Sequence, residues 1–327
     1  MDDKKDGEIL RNCLKRIMEE VFHEKSPIMR IQTQLSDYSS SFASYIISVQ
    51  VAENREHTIF LKDFGDYRRP LRQEQARPER ELHVYREVLG DAGLGTANYY
   101  GSLWDESQER FWLFLEFVDG KPIKESGFEH WLAAVRWLGR LYDYSIQNAQ
   151  LLEGCTFLRR HDHHFFQGTA EAAHLAISRF SPGLGDRLAP ILSGYIPLVQ
   201  AMVSQPRVLV HGSYRREHIL LDRRTQPPRL CPVDWEAAAL GASLFDLAYL
   251  AEGFTSPQLE EIIEVYRDQA AEYGISIPMR DEVVHLMNCY CLHRYMNWLS
   301  SAWHEEFSQE LVVSLVDRAE RLARLVQ

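Results

Sequence analysis

Residues 208–222 read VLVHGSYRREHILLD. His211 and Gly212 open a short polar loop, and from Ile219 the chain turns apolar again as a strand. The turn RRTQPP (223–228) and the run RLCPVD (229–234) complete a hairpin, because polar residues and paired prolines interrupt one apolar run before the next begins. Charged and polar loop residues held between strands are where binding and chemistry concentrate. The elements around this hairpin decide what kind of protein carries it.

On the C-terminal side the texture is helical. FEHWLAAVRWLGRLYDYS (128–145) predicts a helix with an aromatic face, and 165–180, 185–203, 256–273, 280–303 and 305–326 read the same way. Toward the N-terminus, Leu10, Cys13, Leu14, Ile17, Met18, Val21 and Phe22 recur at helical spacing over 8–22. Strand-like runs follow, SFASYIISVQV (41–51) and HTIFLKDF (57–64), with the polar ENREH (53–57) as their turn. PERELHVYREVLGDAG (78–93) predicts a helix closed by Gly90 or Gly93. ANYYGSLWD (97–105) and RFWLFLEF (110–117) are two more strands, the second ending in the turn VDGKP. The chain therefore divides into a β-rich lobe, 1–118, and a helical lobe, 119–327, that holds the hairpin. The expected class is α+β with two lobes.

Composition narrows the function. Of 327 residues, 45% are hydrophobic and 25% charged, ordinary for a globular chain with a sizeable core. Net charge is −11 and neither half is basic, which argues against a nucleic-acid surface. The opening MDDKKDGE is charged, and no apolar stretch is long enough for a signal peptide or a membrane span. Five scattered cysteines suit a reducing compartment, so a cytoplasmic protein without membrane contact is expected. Nothing here fixes an oligomeric state.

Four positions stand in the order that phosphoryl transfer needs. Lys62 lies on the second strong strand, where it can reach nucleotide phosphates. Glu81 lies on the next helix, where it can hold that lysine by an ion pair. LEFVDG (115–120) can offer backbone groups to a purine, around Glu116 and Val118. Asp234 follows the strand LCPV and can carry Mg²⁺ on its carboxylate oxygens. Either of the first two alone would be unremarkable; the order of all four is the signal.

With these residues the chain resembles the aminoglycoside phosphotransferase and choline kinase-like group, within the protein-kinase-like fold. The resemblance covers most of the chain and is strongest at VHGSYRREHILLD, PVDWEAAALGASLFDLAYL, PERELHVYREVL and LFLEFVDG. It implies a small β-rich N-lobe, a larger helical C-lobe, and transfer from ATP or GTP to a small-molecule hydroxyl with Mg²⁺. His211, Gly212, Asp234, Trp235, Glu236 and Asp246 fit the group's pattern, Asp246 as a brace for the catalytic loop. Two positions depart from it. Ser213 stands where the group has its catalytic Asp, and His218 where it has its metal-binding Asn.

Serine cannot serve as a carboxylate base, and such a loss costs about 10²–10⁴ in rate. Imidazole at His218 would suit Mn²⁺ or Zn²⁺ better than Mg²⁺. Arg215 is placed to touch a transferring phosphoryl group, and Glu217 and Glu236 are nearby carboxylates that can substitute as base or ligand. Two readings follow: a phosphotransferase with an altered loop, or a pseudokinase that binds nucleotide or a small ligand as a regulatory or scaffolding module.

Weaker signals complete the reading. LSDYSSSFASY (35–45) sits where a phosphate-covering loop is expected; it has no glycine, but Ser40 and its neighbours Ser39 and Ser41 offer hydroxyls. His285, Cys289 and His293 share a helix stripe that could hold Zn²⁺, although a buried core helix explains the apolar surroundings more simply. HDHH (161–164) is expected to be a solvated loop, and the arginines of 66–80 a mixed-charge surface. The acidic positions Glu260, Glu261, Glu264, Asp268 and Glu272 would suit a cationic acceptor, or serve solubility alone.

Overall fold

Alternation along the second strand organises the N-terminal part of the chain. Side chains on a strand point to opposite faces in turn, so Ile47, Val49 and Val51 of β2 (Phe42–Ala52) share one face. They pack with Ile59 and Leu61 of β3 (Arg55–Tyr67) and with Trp112 and Phe114 of β5 (Arg110–Glu116). Helix α1 (Lys4–Glu20) closes this layer with Leu10, Leu14, Ile17 and Met18, the i, i+4, i+7, i+8 stripe of an amphipathic helix. Strands β1 (Arg30–Leu35) and β4 (Tyr99–Asp105) complete an antiparallel sheet of order β1-β2-β3-β5-β4. The same alternation turns Lys62 to the face opposite Leu61, away from α1.

The computed structural model describes residues 4–37, 42–67, 79–302 and 307–326. Ser39, Ser40 and Ser41, with most of the arginine-rich tract 66–80, lie outside the described residues. Internal contacts divide the chain into two units, Met1–Gly120 and Lys121–Gln327. No helix among the described residues is long and apolar enough to cross a membrane.

One N-terminal element differs from expectation. The helix predicted over 78–93 is a short α-helix, α2 (Glu79–His83), that widens into a π-helical turn, Val84–Leu89. Arg80, Glu81, Leu82, Val84, Tyr85, Val88 and Leu89 are all buried, and the wider turn lets consecutive residues face inward. Strand β1 was not anticipated either, because RIQTQL is polar and largely exposed at the sheet edge.

In the second unit, α3 (Phe128–Gln147) lies beneath the hairpin. Tyr214 donates its hydroxyl hydrogen to the Ala134 carbonyl at 3.0 Å and stacks on Trp137. The hairpin is β9 (Ile219–Asp222) and β10 (Arg229–Pro232), and β6 (Lys121–Pro122) adds a third strand beside β9. A second small sheet joins β7 (Arg159–Arg160), β8 (Arg207–Val210) and β11 (Ala239–Ala242), strands too short to show a period in sequence. The remaining helices are α4 (Ala149–Gly154), α5 (His163–Phe180), α6 (Pro182–Val203), α7 (Leu244–Leu250), α8 (Gln258–Glu272), α9 (Arg280–Ser301) and α10 (Gln309–Val326).

Helix α9 is a core helix. Cys289 and His293 are buried, His293 bonds the Tyr195 hydroxyl at 2.9 Å, and burial lowers its pKa to about 3. The HDHH tract is a helix start rather than a loop, with Asp162, His163 and His164 exposed as expected and His161 turned inward. His161 is buried and stacked on Phe165, and Asp162 caps α5 by accepting from the Phe165 N–H.

Candidate functional site

Within the first unit, Lys62 Nζ lies 2.6 Å from Glu81 Oε2, with 11% and 2% of the two side chains exposed. The ammonium also faces the rings of Phe42 and Phe64 at 5.6 and 5.4 Å. A buried cation is kept only where it is paired, and this one is held in place by a carboxylate and two aromatic faces. Glu116 ends β5. Its carboxylate accepts from the Asn98 side chain at 3.0 Å, and its backbone N–H donates to the Asn98 carbonyl at 2.8 Å. The Val118 carbonyl accepts from the Gly120 N–H at 2.9 Å.

The loop after β8 is fixed by one carboxylate. Asp246, at the start of α7, accepts from the His211 N–H at 2.6 Å and the Gly212 N–H at 3.0 Å. Burial raises the Asp246 pKa to about 7, against the pull of the backbone N–H groups that favour its charged form. Gly212 has φ +77°, and a Cβ there would sit 2.2 Å from the Ala237 carbonyl oxygen. Only glycine fits.

His211 is wholly buried, and burial lowers its pKa to about 3. Its ring is therefore neutral. Nε2–H donates to the Val233 carbonyl at 2.9 Å and Nδ1 accepts from the Ser213 N–H at 3.3 Å, an assignment that follows from the partners. His211 ties the loop to the end of β10 and has no ring nitrogen left for substrate.

His218 is built in similarly. Its Nδ1–H donates to the Ser213 carbonyl at 3.0 Å, which turns Nε2 toward Asp234 Oδ2 at 3.6 Å and Arg215 Nη2 at 3.1 Å. Burial lowers its pKa, so the neutral ring accepts from the guanidinium. The loop thus brings together Ser213, Arg215, His218 and Asp234. It leaves Glu217 to Arg216, 3.0 Å away.

Asp234 adopts a left-handed backbone, φ +69°, before the turn Trp235–Ala237. An uncommon conformation for a side chain with a Cβ marks a place where geometry is imposed. A carboxylate oxygen of Asp234 and one of Glu236 lie within 4.8 Å of each other. Two carboxylates suit a hard divalent cation such as Mg²⁺. The His218 nitrogen is the poorer candidate, since Arg215 already engages it. Glu236 thus stands beside Asp234 as a candidate ligand that the sequence pattern undervalued.

The acidic positions of α8 do not converge on this loop: Glu260 pairs with Arg280 at 2.7 Å and Glu272 with Gln269. A cavity of about 850 Å³ does reach it, starting at Arg215, Arg216 and Glu217 and running between α7, α9 and α10.

Comparison with solved structures gives the same architecture repeatedly. Choline kinase from Cryptosporidium parvum Iowa II aligns with a TM-score of 0.65 at 14% identity, covering 98% of this chain and 97% of that one. A spectinomycin phosphotransferase in complex with ADP and spectinomycin aligns at 0.60 and 11% identity, covering 98% and 97%. An aminoglycoside phosphotransferase complex with GDP and kanamycin aligns at 0.61 and 13% identity, covering 96% and 99%. The fold is accordingly protein-kinase-like, with a β-rich N-terminal unit and a helical C-terminal one. No curated protein matches the chain. The model of the phosphotransferase enzyme family matches residues 49–282, from β2 through the braced loop and Asp234 into α9, and the chain belongs to that family.

Proposed function

We propose that the protein transfers a phosphoryl group from ATP or GTP to the hydroxyl of a small molecule, using a rebuilt catalytic loop. The observation that carries this reading is the buried Lys62–Glu81 pair, a preorganised cation of the kind that nucleotide phosphates require. Lys62 would hold phosphates, with Glu81 positioning it. Backbone groups near Glu116 and Val118 would meet the purine, and Ser40 would cover the phosphates. Asp234 would hold Mg²⁺ or Mn²⁺ with Glu236, while His218 sets the loop and orients Arg215. A bound divalent cation would neutralise charge on the phosphates.

In the reaction, the acceptor oxygen bonds to the γ-phosphorus as the bond to the bridging β,γ-oxygen breaks and the nucleoside diphosphate leaves. Arg215 stabilises charge on the transferring group. The acceptor proton passes to water, since Ser213 has no carboxylate, His211 has no free nitrogen and Glu236 is given to the metal. Phosphoryl transfer depends mainly on positioning and charge stabilisation, so losing a base slows it without abolishing it. Free, scattered cysteines favour a reducing cytoplasm. A second reading, a nucleotide-binding pseudokinase, draws support from the Arg215–His218 contact, which sets a fixed cation beside Asp234.

One experiment separates the two. ATP or GTP with Mg²⁺ or Mn²⁺ should raise the melting temperature, since ligand at 100 times its Kd stabilises by about 2.7 kcal/mol; Lys62→Ala should abolish the shift. Ser213→Asp with His218→Asn should then raise turnover at least tenfold, out of the roughly 10²–10⁴ that a base supplies. Nucleotide binding without turnover in either protein identifies the pseudokinase. Failure to bind any nucleotide overturns both.

A further inference from the structure

The cavity that begins at the braced loop has a charge opposite to that of the protein. The chain carries a net −11. The cavity is lined by five arginines, Arg215, Arg216, Arg294, Arg318 and Arg321, against two acids, Glu217 and Glu252. Both acids are already engaged. Glu217 pairs with Arg216. Glu252 pairs with Arg294 and accepts from the Tyr295 hydroxyl at 2.5 Å. Arg294 is further fixed between the rings of Tyr249 and Trp298, at 4.9 and 4.6 Å.

Helix α10 sorts its charges by face. Asp317 and Glu320 are turned to Arg187 of α6, at 2.6 and 2.8 Å. Arg318 and Arg321, also three residues apart and therefore neighbours on one face, line the cavity instead. Arg318 donates to the Tyr295 hydroxyl at 3.3 Å, which holds its guanidinium at the wall. A guanidinium's planar fork matches a carboxylate or phosphate.

We infer that the acceptor is an anionic hydroxyl compound, carrying a carboxylate or a phosphate that Arg318 and Arg321 bind while its hydroxyl is presented to the loop at Arg215. The inference rests on the phosphotransferase reading for what happens to that hydroxyl, but the binding claim stands apart from it. A cationic acceptor would enter a wall of five arginines, and the acidic face of α8 that would suit one does not line the cavity.

Calorimetric titration of the intact protein with four probes tests this: D-glycerate, glycerol 3-phosphate, choline and kanamycin. At least one of the two anions should bind, and which one does separates a carboxylate site from a phosphate site. Choline and kanamycin should not bind. Arg321→Glu, and Arg318→Glu with Arg321→Glu, should raise Kd for the anion at least tenfold, while Arg321→Lys costs less and the nucleotide-induced melting shift stays unchanged in all three. Binding of choline or kanamycin, binding of neither anion, or anion binding indifferent to both charge reversals would overturn the inference. ATP consumption with the same probes is the separate arm. Anion binding without turnover would count against phosphotransfer and leave the anion site standing, whereas turnover of choline would do the reverse.

Discussion

Lys62 and Glu81 should behave as one energetic unit, and a double-mutant cycle reads that directly. At 2.6 Å and an effective dielectric of 20, their gross attraction is roughly 6 kcal/mol, set against the cost of holding two charges out of water. Lys62→Met alone leaves a carboxylate 2% exposed without its ammonium. Glu81→Gln alone leaves the ammonium, which faces the rings of Phe42 and Phe64, without a carboxylate at Glu81's position. Breaking a buried pair from one side costs about 3–5 kcal/mol, whereas replacing both members with apolar groups of similar volume is often close to neutral. Lys62→Met with Glu81→Leu should therefore be more stable than Lys62→Met, with a coupling of several kcal/mol.

Hydrogen exchange at the Leu61, Lys62 and Asp63 amides reports on β3 and its ladders to β2 and β5, which keeps the second unit out of the measurement. Protection should fall by two or more orders of magnitude in Lys62→Met and largely return in the double variant. Nucleotide binding should be lost in both, because the lysine is gone from each. A double variant no more protected than Lys62→Met would refute the pairing. Nucleotide binding by the double variant would refute the role given to Lys62.

Two further outcomes follow from the braced loop and the core of the second unit. Gly212→Ala meets both a left-handed φ and a carbonyl oxygen 2.2 Å from the new Cβ, whereas Gly274→Ala has a similar φ, +70°, and open space. In urea melts Gly212→Ala should lose clearly more stability than the ~1–2 kcal/mol of conformational cost that Gly274→Ala shares; equal losses would contradict the packing at Ala237. For pH, His211 and His293 stay neutral in the fold down to about 3, while an unfolded histidine takes a proton near 6.5. Their contribution is complete above 6.5 and falls by about 1.4 kcal/mol each per unit as pH drops below it, with His218 acting in the same direction. Asp246 runs the other way: its folded pKa of about 7 exceeds the unfolded value near 3.9, so its effect is most favourable at low pH and is lost as pH rises toward 7. The net slope between pH 4 and 6.5 should be positive, and His293→Gln should make it shallower by about 1.4 kcal/mol per unit in urea melts; an unchanged slope would show that His293 titrates normally.

Much of this was legible from periodicity and order. The α1 stripe, the strands β2 and β3 and the long helices carry repeats of 3.6 or 2 over ten or more residues, and they fold as their patterns dictate. Residues 30–35 gave no such signal, because a polar edge strand needs its neighbour's hydrogen bonds more than its own burial. The four-residue strands β8 and β11 are shorter than any reliable period. The π-helical turn at Val84–Leu89 hid in a good α-helical sequence, since its cause is how much of the segment must face inward. At the site, spacing placed Lys62, Glu81, Asp234 and Asp246 on the right elements. It could not show that the last ring nitrogen of His218 is engaged by Arg215, or that the arginines of α9 and α10, more than a hundred residues from Lys62, line the cavity at the loop.

Ser213 and His218 differ in kind from the residues that shape the loop. Asp246, Gly212 and His211 determine its path: a buried carboxylate grips two backbone N–H groups, a glycine takes a conformation denied to other residues, and a neutral ring ties the loop to β10. Each is costly to keep. Ser213 and His218 fill the positions where side-chain chemistry would be supplied, yet their backbone and ring atoms serve the same scaffold through the His218–Ser213 bond. Side-chain and backbone bonds together hold this loop path. Here the histidine adds a hydrogen bond to it and aims a nitrogen at Arg215, at the mouth of a cavity lined with further arginines. With His218 in the loop, Arg215 is fixed beside Asp234. With an anionic acceptor, the base that Ser213→Asp restores would also add a negative charge beside Arg215, so the gain in turnover from that variant should be smaller for an anionic acceptor than for a neutral one.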